Sequence, residues 1–236
     1  MLLHTTIKGS GEPLIFLHTG LEVGESDFVY QREYFKESFQ VISPDLRGHG
    51  KSFTDDYTNF FEDCARDLKE TIDYYQWEKV HLVGCSLGGI VAVLFGKLFP
   101  EYIKTLTLSG ILPYKPEDWH EQHQADVSTW NHLLNSEEAR GYFESLHESD
   151  WTQFLLLGME ENWYPFEEMD AIKSFAFPVL FLVGEKNKVE ASGALSYPLS
   201  NSLVHGAIVP YAGHLAHVEQ PEIYTTILAE FLKQNS

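Results

Sequence analysis

The stretch HLVGCSLGGIVAV, residues 81–93, decides the fold of this chain. It carries Gly84–Gly88, a G-x-S-x-G pattern, between a short apolar run typical of a strand and a longer run typical of a helix. An alternative is that Gly88, Gly89 and Gly96 only let a helix pack closely on a strand. A serine on so tight a turn takes strained backbone angles, and glycine on either side removes side chains that would clash. The pattern therefore predicts an exposed serine hydroxyl at the edge of a sheet, beside the positive end of a helix.

Runs typical of strands alternate with runs of helical spacing on both sides of this stretch. Continuous apolar strands separated by helices indicate a parallel sheet that is covered on both faces. The strand-like runs are LLHTTIK, PLIFLH, FQVISP, KVHLVG, IKTLTLSG, PVLFLVG and LVHGAIVP. The first two flank Gly9-Ser10-Gly11 and are expected to form an antiparallel hairpin. The predicted fold is α/β, a mostly parallel doubly wound sheet of about eight strands with an N-terminal antiparallel hairpin and an inserted helical cap.

One segment breaks the alternation of strands and helices. Between Pro113 and Lys173 there is no strand-like run, and the helical stretches carry four of the five tryptophans. Open α/β sheets bind ligands at the carboxyl ends of their strands, so a helical insert is expected to lie over that edge. The predicted domains are a core of residues 1–112 and 174–236 and a helical cap of residues 113–173.

Charge and cysteine content limit the partners and the location. The chain has 236 residues and a net charge of −19, which disfavours nucleic acid and anionic membrane surfaces as partners. Cys64 and Cys85 form no disulfide framework, and the first residues show neither a basic start nor an apolar run of signal-peptide length. The sequence predicts a cytoplasmic protein with a small-molecule substrate, without a metal or cofactor. It carries no prediction of the oligomeric state.

Four motifs resemble those of the α/β-hydrolase fold superfamily, in particular its serine hydrolases with a helical cap. The likeness covers nearly the whole chain. The motifs are FLHTG at the oxyanion loop, SPDLRGHGKS, VGCSLGG at the nucleophile turn, and YAGHLAHVEQPE around a histidine. Thr19 departs from the family pattern, in which glycine is usual at that position.

The resemblance implies a role for each matching residue. Ser86 is the expected nucleophile, and His214 is the expected general base, which later protonates the leaving group. The backbone N–H groups of Leu87 and Gly20 are expected to hold the developing oxyanion. Leu21 is the alternative to Gly20, because Thr19 shifts the alignment of that loop.

The third member of the expected triad is not the usual carboxylate. The family commonly places an aspartate after the strand that PVLFLVG resembles, and Asn187 stands at that position. Three explanations are open. Another carboxylate takes the role, with Glu185 and Glu190 nearest in sequence, or the asparagine serves, or the site binds without turnover.

The aromatic residues of the insert point to the substrate. Trp119, Trp130, Trp151 and Trp163 are expected to bind it, although for each of them packing of the cap is the alternative role. The predicted function is a carboxylesterase-like serine hydrolase that cleaves a small, fairly apolar ester, thioester or lactone through an acyl-enzyme. The alternatives are a ligand-binding member with weakened catalysis and a carbon–carbon bond hydrolase.

Overall fold

The sheet of this chain has seven strands in the spatial order β1-β3-β2-β4-β5-β6-β7. The computed structural model describes residues 1–236. All neighbouring strands run parallel except β1, which is antiparallel to β3. The predicted α/β class with a mostly parallel sheet is confirmed, with seven strands instead of about eight. The strands are β1 (Thr5–Lys8), β2 (Glu12–Leu17), β3 (Phe39–Pro44), β4 (Val80–Cys85), β5 (Ile103–Ser109), β6 (Val179–Gly184) and β7 (Val204–Val209).

The antiparallel strand at the N-terminus has a different partner from the one predicted. β1 pairs with β3, and β3 lies between β1 and β2, so these two strands form no hairpin. The connection between them crosses the start of β3: Gly9 has a φ of 75°, and a Cβ atom there would lie 2.5 Å from the carbonyl oxygen of Phe39. The glycine is needed for this close crossing as well as for a tight turn. A glycine-rich connection therefore does not by itself show which strands pair.

Helices cover both faces of the sheet, which confirms the doubly wound arrangement. One hydrophobic core lies under α2, α3 and α7, and a second lies under α1 and α9 on the other face. The helices are α1 (Val29–Phe35), α2 (Phe60–Tyr75), α3 (Leu87–Leu98), α4 (Trp119–Leu134), α5 (Glu137–Leu146), α6 (Thr152–Gly158), α7 (Lys188–Ser200), α8 (Ala216–Glu219) and α9 (Pro221–Gln234), with 3₁₀ helices at Pro100–Tyr102 and Phe166–Ser174.

The segment between β5 and β6 consists of helices and loops. It contains α4, α5, α6 and the second 3₁₀ helix, and it includes residues 113–173, the predicted cap. No helix in the chain combines the length and the apolar character that crossing a bilayer requires. Parallel strands end at a common edge, and the insert follows β5 there, so its helices are placed to enclose a site at that edge.

Candidate active site

Ser86 lies on a sharp turn between β4 and α3. Its backbone angles are φ 55° and ψ −117°, a strained conformation for a residue with a side chain. The turn is fixed by the N–H of Ser86, which donates to the carbonyl of Ser109 at 3.0 Å. A Cβ atom at Gly84 would lie 2.2 Å from the carbonyl oxygen of Gly88, so only glycine fits there. The structure thus holds Ser86 in the strained turn that the sequence predicts, and Ser86 lines a cavity at this edge of the sheet.

Three unpaired backbone donors lie at the same cavity as Ser86. The N–H groups of Gly20, Leu21 and Leu87 make no hydrogen bond within the chain, and all three residues line the cavity. Leu21 has a φ of 64°, in the left-handed region. A side chain at Gly20 would collide with Phe154, whose Cε1 lies 2.7 Å from the ideal Cβ position. Leu87 opens α3, where the helix dipole adds positive potential, so the loop and the helix start can together hold an oxyanion.

His214 lies in the loop between β7 and α8, close to the turn that carries Ser86. Gly110 lies between the backbone of Ser86 and the imidazole of His214. A Cβ atom at Gly110 would lie 3.1 Å from the backbone nitrogen of Ser86 and 3.1 Å from Cε1 of His214. The structure therefore brings together the two residues predicted as nucleophile and base, and both line the cavity.

The partner of His214 is Glu190, not the predicted Asn187. The Nδ1 atom of His214 lies 2.7 Å from Oε1 of Glu190. Asn187 makes no hydrogen bond to the imidazole, and its amide Nδ2 donates to the same Oε1 of Glu190 at 2.7 Å. Glu185, the other acid considered, accepts a hydrogen bond from the N–H of Tyr211 at 2.9 Å. Of the three explanations for Asn187, the geometry therefore matches the substitution by another carboxylate, three residues later.

The first turn of α7 explains how Glu190 is held. Asn187 caps this helix, and its Oδ1 accepts from the N–H of Glu190 at 3.3 Å. Glu190 is therefore the third residue of the helix, where the unpaired N–H groups favour a negative charge. Glu190 as a whole is 1% exposed. A buried carboxylate with two donors on one oxygen has a fixed orientation toward His214.

The environment of His214 favours its protonated form. Burial lowers the pKa of His214, but the hydrogen bond and charge of Glu190 and the charge of Asp126 raise it, and the net pKa lies above the usual value. Because Nδ1 faces the carboxylate, the imidazole keeps a proton on Nδ1, and Nε2 is left to accept a proton from a hydroxyl. This tautomer and this stabilisation of the imidazolium are what a general base next to a serine requires.

A cavity of about 690 Å³ lies over Ser86, between the sheet edge and the insert. Trp119, Trp130 and Trp163 line it, as predicted for a substrate site. Trp151 does not line it. This tryptophan is buried against Phe143, with ring centroids 5.0 Å apart, and packs the insert instead. Aromatic content alone could not separate these two roles.

Asp126 is a cavity residue that the sequence analysis missed. It lies on α4 one turn before Trp130 and lines the cavity with it. Residues four apart share a helix face, so the spacing from Trp130 was a usable signal. No group of three or more His, Cys, Asp or Glu side chains is arranged to hold a metal ion.

A second buried pair connects the oxyanion loop to the loop of His214. Nε2 of His217 lies 2.8 Å from Oδ1 of Asp27, and Oδ2 of Asp27 accepts from the N–H of Thr19 at 2.8 Å. Burial favours the neutral acid, but the interaction with His217 prevails and lowers the pKa of Asp27 to about 2. Asp27 thus fixes the loop that precedes Gly20 to the segment that follows His214.

Comparisons with known proteins agree with this geometry. A family model described as alpha/beta hydrolase fold matches residues 12–139, more than half of the chain. Serine hydrolase BPHL of Mus musculus is 28% identical over 257 residues, which cover 98% of this chain and 83% of that protein. Among solved structures, NosK from Streptomyces actuosus has a TM-score of 0.80 at 23% identity and covers 95% of this chain and 99% of its own. A thermophilic esterase from Thermogutta terrifontis has a TM-score of 0.74 at 21% identity, with 99% and 94% covered. At these identities the two solved structures show a shared fold.

Proposed function

The chain belongs to the α/β-hydrolase fold family, and from that premise we propose a serine hydrolase that cleaves a small, fairly apolar ester, thioester or lactone. The predictions of this family and of a hydrolytic enzyme are confirmed by the family match. One observation carries the proposal: a buried carboxylate, Glu190, lies 2.7 Å from Nδ1 of a histidine that borders the serine turn.

The proposed reaction forms an acyl-enzyme on Ser86. Its hydroxyl attacks the carbonyl carbon while Nε2 of His214 accepts the proton, and Glu190 stabilises the imidazolium. The N–H of Leu87, with that of Gly20 or Leu21, holds the oxyanion, and one such donor typically contributes about 3 kcal/mol. His214 then protonates the leaving group. Water deprotonated by the same imidazole attacks the acyl-enzyme, releases the acid and restores Ser86.

The lining of the cavity supports a small and fairly apolar substrate. Twelve of its 22 residues are hydrophobic, and none is lysine or arginine. A site without a cationic side chain offers no counter-charge to a carboxylate or phosphate on the substrate. A compact acyl group with apolar surface fits this lining best.

The alternative of a binding protein without turnover depended on Asn187 as the partner of the imidazole. An asparagine partner would have lacked the negative charge that stabilises the imidazolium when a serine attacks. Because Glu190 occupies the position next to Nδ1, the asparagine does not imply a loss of activity.

A fluorophosphonate probe tests the proposal directly. The probe is expected to form one adduct on Ser86 in the folded protein at neutral pH, located by peptide mass spectrometry, and to abolish hydrolysis of a nitrophenyl ester. The variant Ser86→Ala and heat-denatured protein are the controls, and both are expected to remain unlabelled. Folded protein that hydrolyses no ester and takes no label would contradict the acyl-enzyme mechanism.

A further inference from the structure

The wall of the cavity formed by α4 carries a carboxylate without a partner. Gln122, Asp126 and Trp130 follow one another at four-residue spacing, and all three line the cavity. Asp126 makes neither a hydrogen bond nor an ion pair within the chain, unlike Gln122, whose amide donates to Asp118. The carboxylate is therefore available to a ligand.

No lysine or arginine lines the cavity beside Asp126. The other ionisable residues of the lining are Glu190 and His214, which are hydrogen-bonded to each other, and Tyr164, whose hydroxyl accepts from the N–H of Leu112. Partial burial raises the pKa of Asp126 in spite of the attraction of His123 and His214. Asp126 itself remains exposed to solvent, so a positive group that enters the cavity can pair with its carboxylate and favour the charged form.

Aromatic rings line the same cavity as Asp126. Trp130 and Trp163 pack edge to face, with their ring centroids 6.0 Å apart at an interplanar angle of 80°. Trp119 lines the cavity from the start of the same helix. Indole faces attract organic cations, and quaternary ammonium groups are commonly held in such aromatic settings. A carboxylate beside indoles is therefore a suitable site for an organic cation.

The charge of the whole chain acts in the same direction. Its net charge of −19 raises the local concentration of cations and lowers that of anions. Fourteen acidic residues lie between Pro113 and Lys173, in the insert that forms this wall. Cationic substrates would be attracted toward the cavity before they reach it.

We propose that the preferred substrate is an ester whose acyl chain ends in an organic cation, which Asp126 neutralises and which Trp130 and Trp163 enclose. The inference rests on the proposed function, because Ser86 is the group that cleaves the ester. It adds the class of substrate: an apolar chain of cavity size with a terminal ammonium group. The chain would fill the hydrophobic part of the lining, and its charged end would lie at α4.

Two isosteric esters test this preference. One is a nitrophenyl ester whose acyl chain ends in a trimethylammonium group, and the other ends in a neutral tert-butyl group. The natural protein is expected to show a kcat/KM about tenfold higher for the cationic ester, the size of a partly desolvated cation–aromatic and charge interaction. Asp126→Asn is expected to bring the ratio close to one, and Trp130→Leu to lower it. Any effect of these variants on His214 acts on both esters and cancels in the ratio.

A charge-matched variant and a binding measurement complete the test. Glu121→Gln removes the same charge from α4 outside the cavity lining, and the ratio of the two kcat/KM values is expected to stay at its natural value.

A binding measurement tests the site even if neither ester is hydrolysed. Binding of butyltrimethylammonium and of its neutral isostere to Ser86→Ala is followed by tryptophan fluorescence. Weaker binding of the cation in Ser86→Ala/Asp126→Asn would support the site even if the hydrolase proposal failed. Equal ratios in the natural protein and Asp126→Asn, or no preference for the cation in binding, would overturn it.

Discussion

The proposed mechanism depends on the carboxylate of Glu190. We expect Glu190→Gln to lower kcat by about 10⁴-fold, the effect of the corresponding aspartate-to-asparagine change in a serine protease. The amide carries no charge to stabilise the imidazolium, and if its NH₂ faces Nδ1 the imidazole takes the wrong tautomer. Steady-state hydrolysis of a nitrophenyl ester at neutral pH measures the loss.

Glu185→Gln is the matched control for this variant. Glu185 lies five residues earlier, and its carboxylate binds the N–H of Tyr211 rather than the imidazole. We expect it to change kcat by less than about threefold, since surface substitutions away from the reacting groups have small effects. Equal losses in both variants, or no loss in Glu190→Gln, would show that a different group supports His214.

The sequence pointed to Ser86 and His214 as nucleophile and base but left their acid open among Asn187, Glu185 and Glu190, for a local reason. Each of the first two lies inside a contiguous motif, so the residues around it fix the alignment. The acid is identified only by which side chain at the start of α7 points toward the loop after β7. Asn187 occupies the aligned position, yet it faces its own helix as a cap. An asparagine followed three residues later by a glutamate is a helix-start pattern, and it was the available signal.

At the scale of elements, the start of α7 combines a structural task with the proposed catalytic one. Asn187 caps the helix with Oδ1, and its Nδ2 donates to the oxygen of Glu190 that also faces His214. The short turn therefore determines the position of the carboxylate. An aspartate would cap the helix equally well, so the preference for asparagine here comes from its donor.

We expect Asn187→Asp to lower kcat by about tenfold or more. The change removes a hydrogen bond to a charged group and places a second carboxylate next to Glu190, so one of the two tends to stay protonated. Asn187→Ser, which keeps a capping oxygen without the charge, is expected to lose less. The same ester assay compares the three proteins. A gain of activity in Asn187→Asp would instead indicate that position 187 supplies the triad acid.

Strand pairing is the property of these elements that the sequence patterns did not fully predict. Each strand-like run became a strand, because apolar periodicity is local. The partner of β1 was missed, because β3 comes from more than twenty residues farther along the chain and the Gly9–Gly11 connection suits both a turn and a crossing. Strand pairing depends on which surfaces the whole sheet buries, and a single run of residues does not contain that information.

At the scale of the whole molecule, His147 joins the insert to the core. It follows α5, and its Nδ1 accepts from the N–H of Gly50 at 2.8 Å while its Nε2 donates to the carbonyl of Leu21 at 3.1 Å. Both bonds together require the neutral imidazole, since a protonated Nδ1 cannot accept. Burial accordingly lowers the pKa of His147 to about 4. One neutral histidine therefore connects the insert with the loop that carries the proposed oxyanion donors.

Acid should weaken this connection and the fold with it. The folded pKa of His147, about 4, lies below its ordinary value of 6.5, so its contribution to stability is complete above pH 6.5 and is lost as the pH falls toward 4. After a discount for solvent screening, we expect about 1 kcal/mol of this loss between pH 7 and pH 5, measured by urea unfolding.

His147→Asn keeps an acceptor for Gly50 without titrating, so its free energy of unfolding should fall less over that range. Burial also lowers the pKa values of His18 and His49, so the difference between variants isolates His147. His132→Asn, at an exposed position of α4, should leave the pH dependence unchanged, and an identical slope in all three proteins would contradict the role of His147.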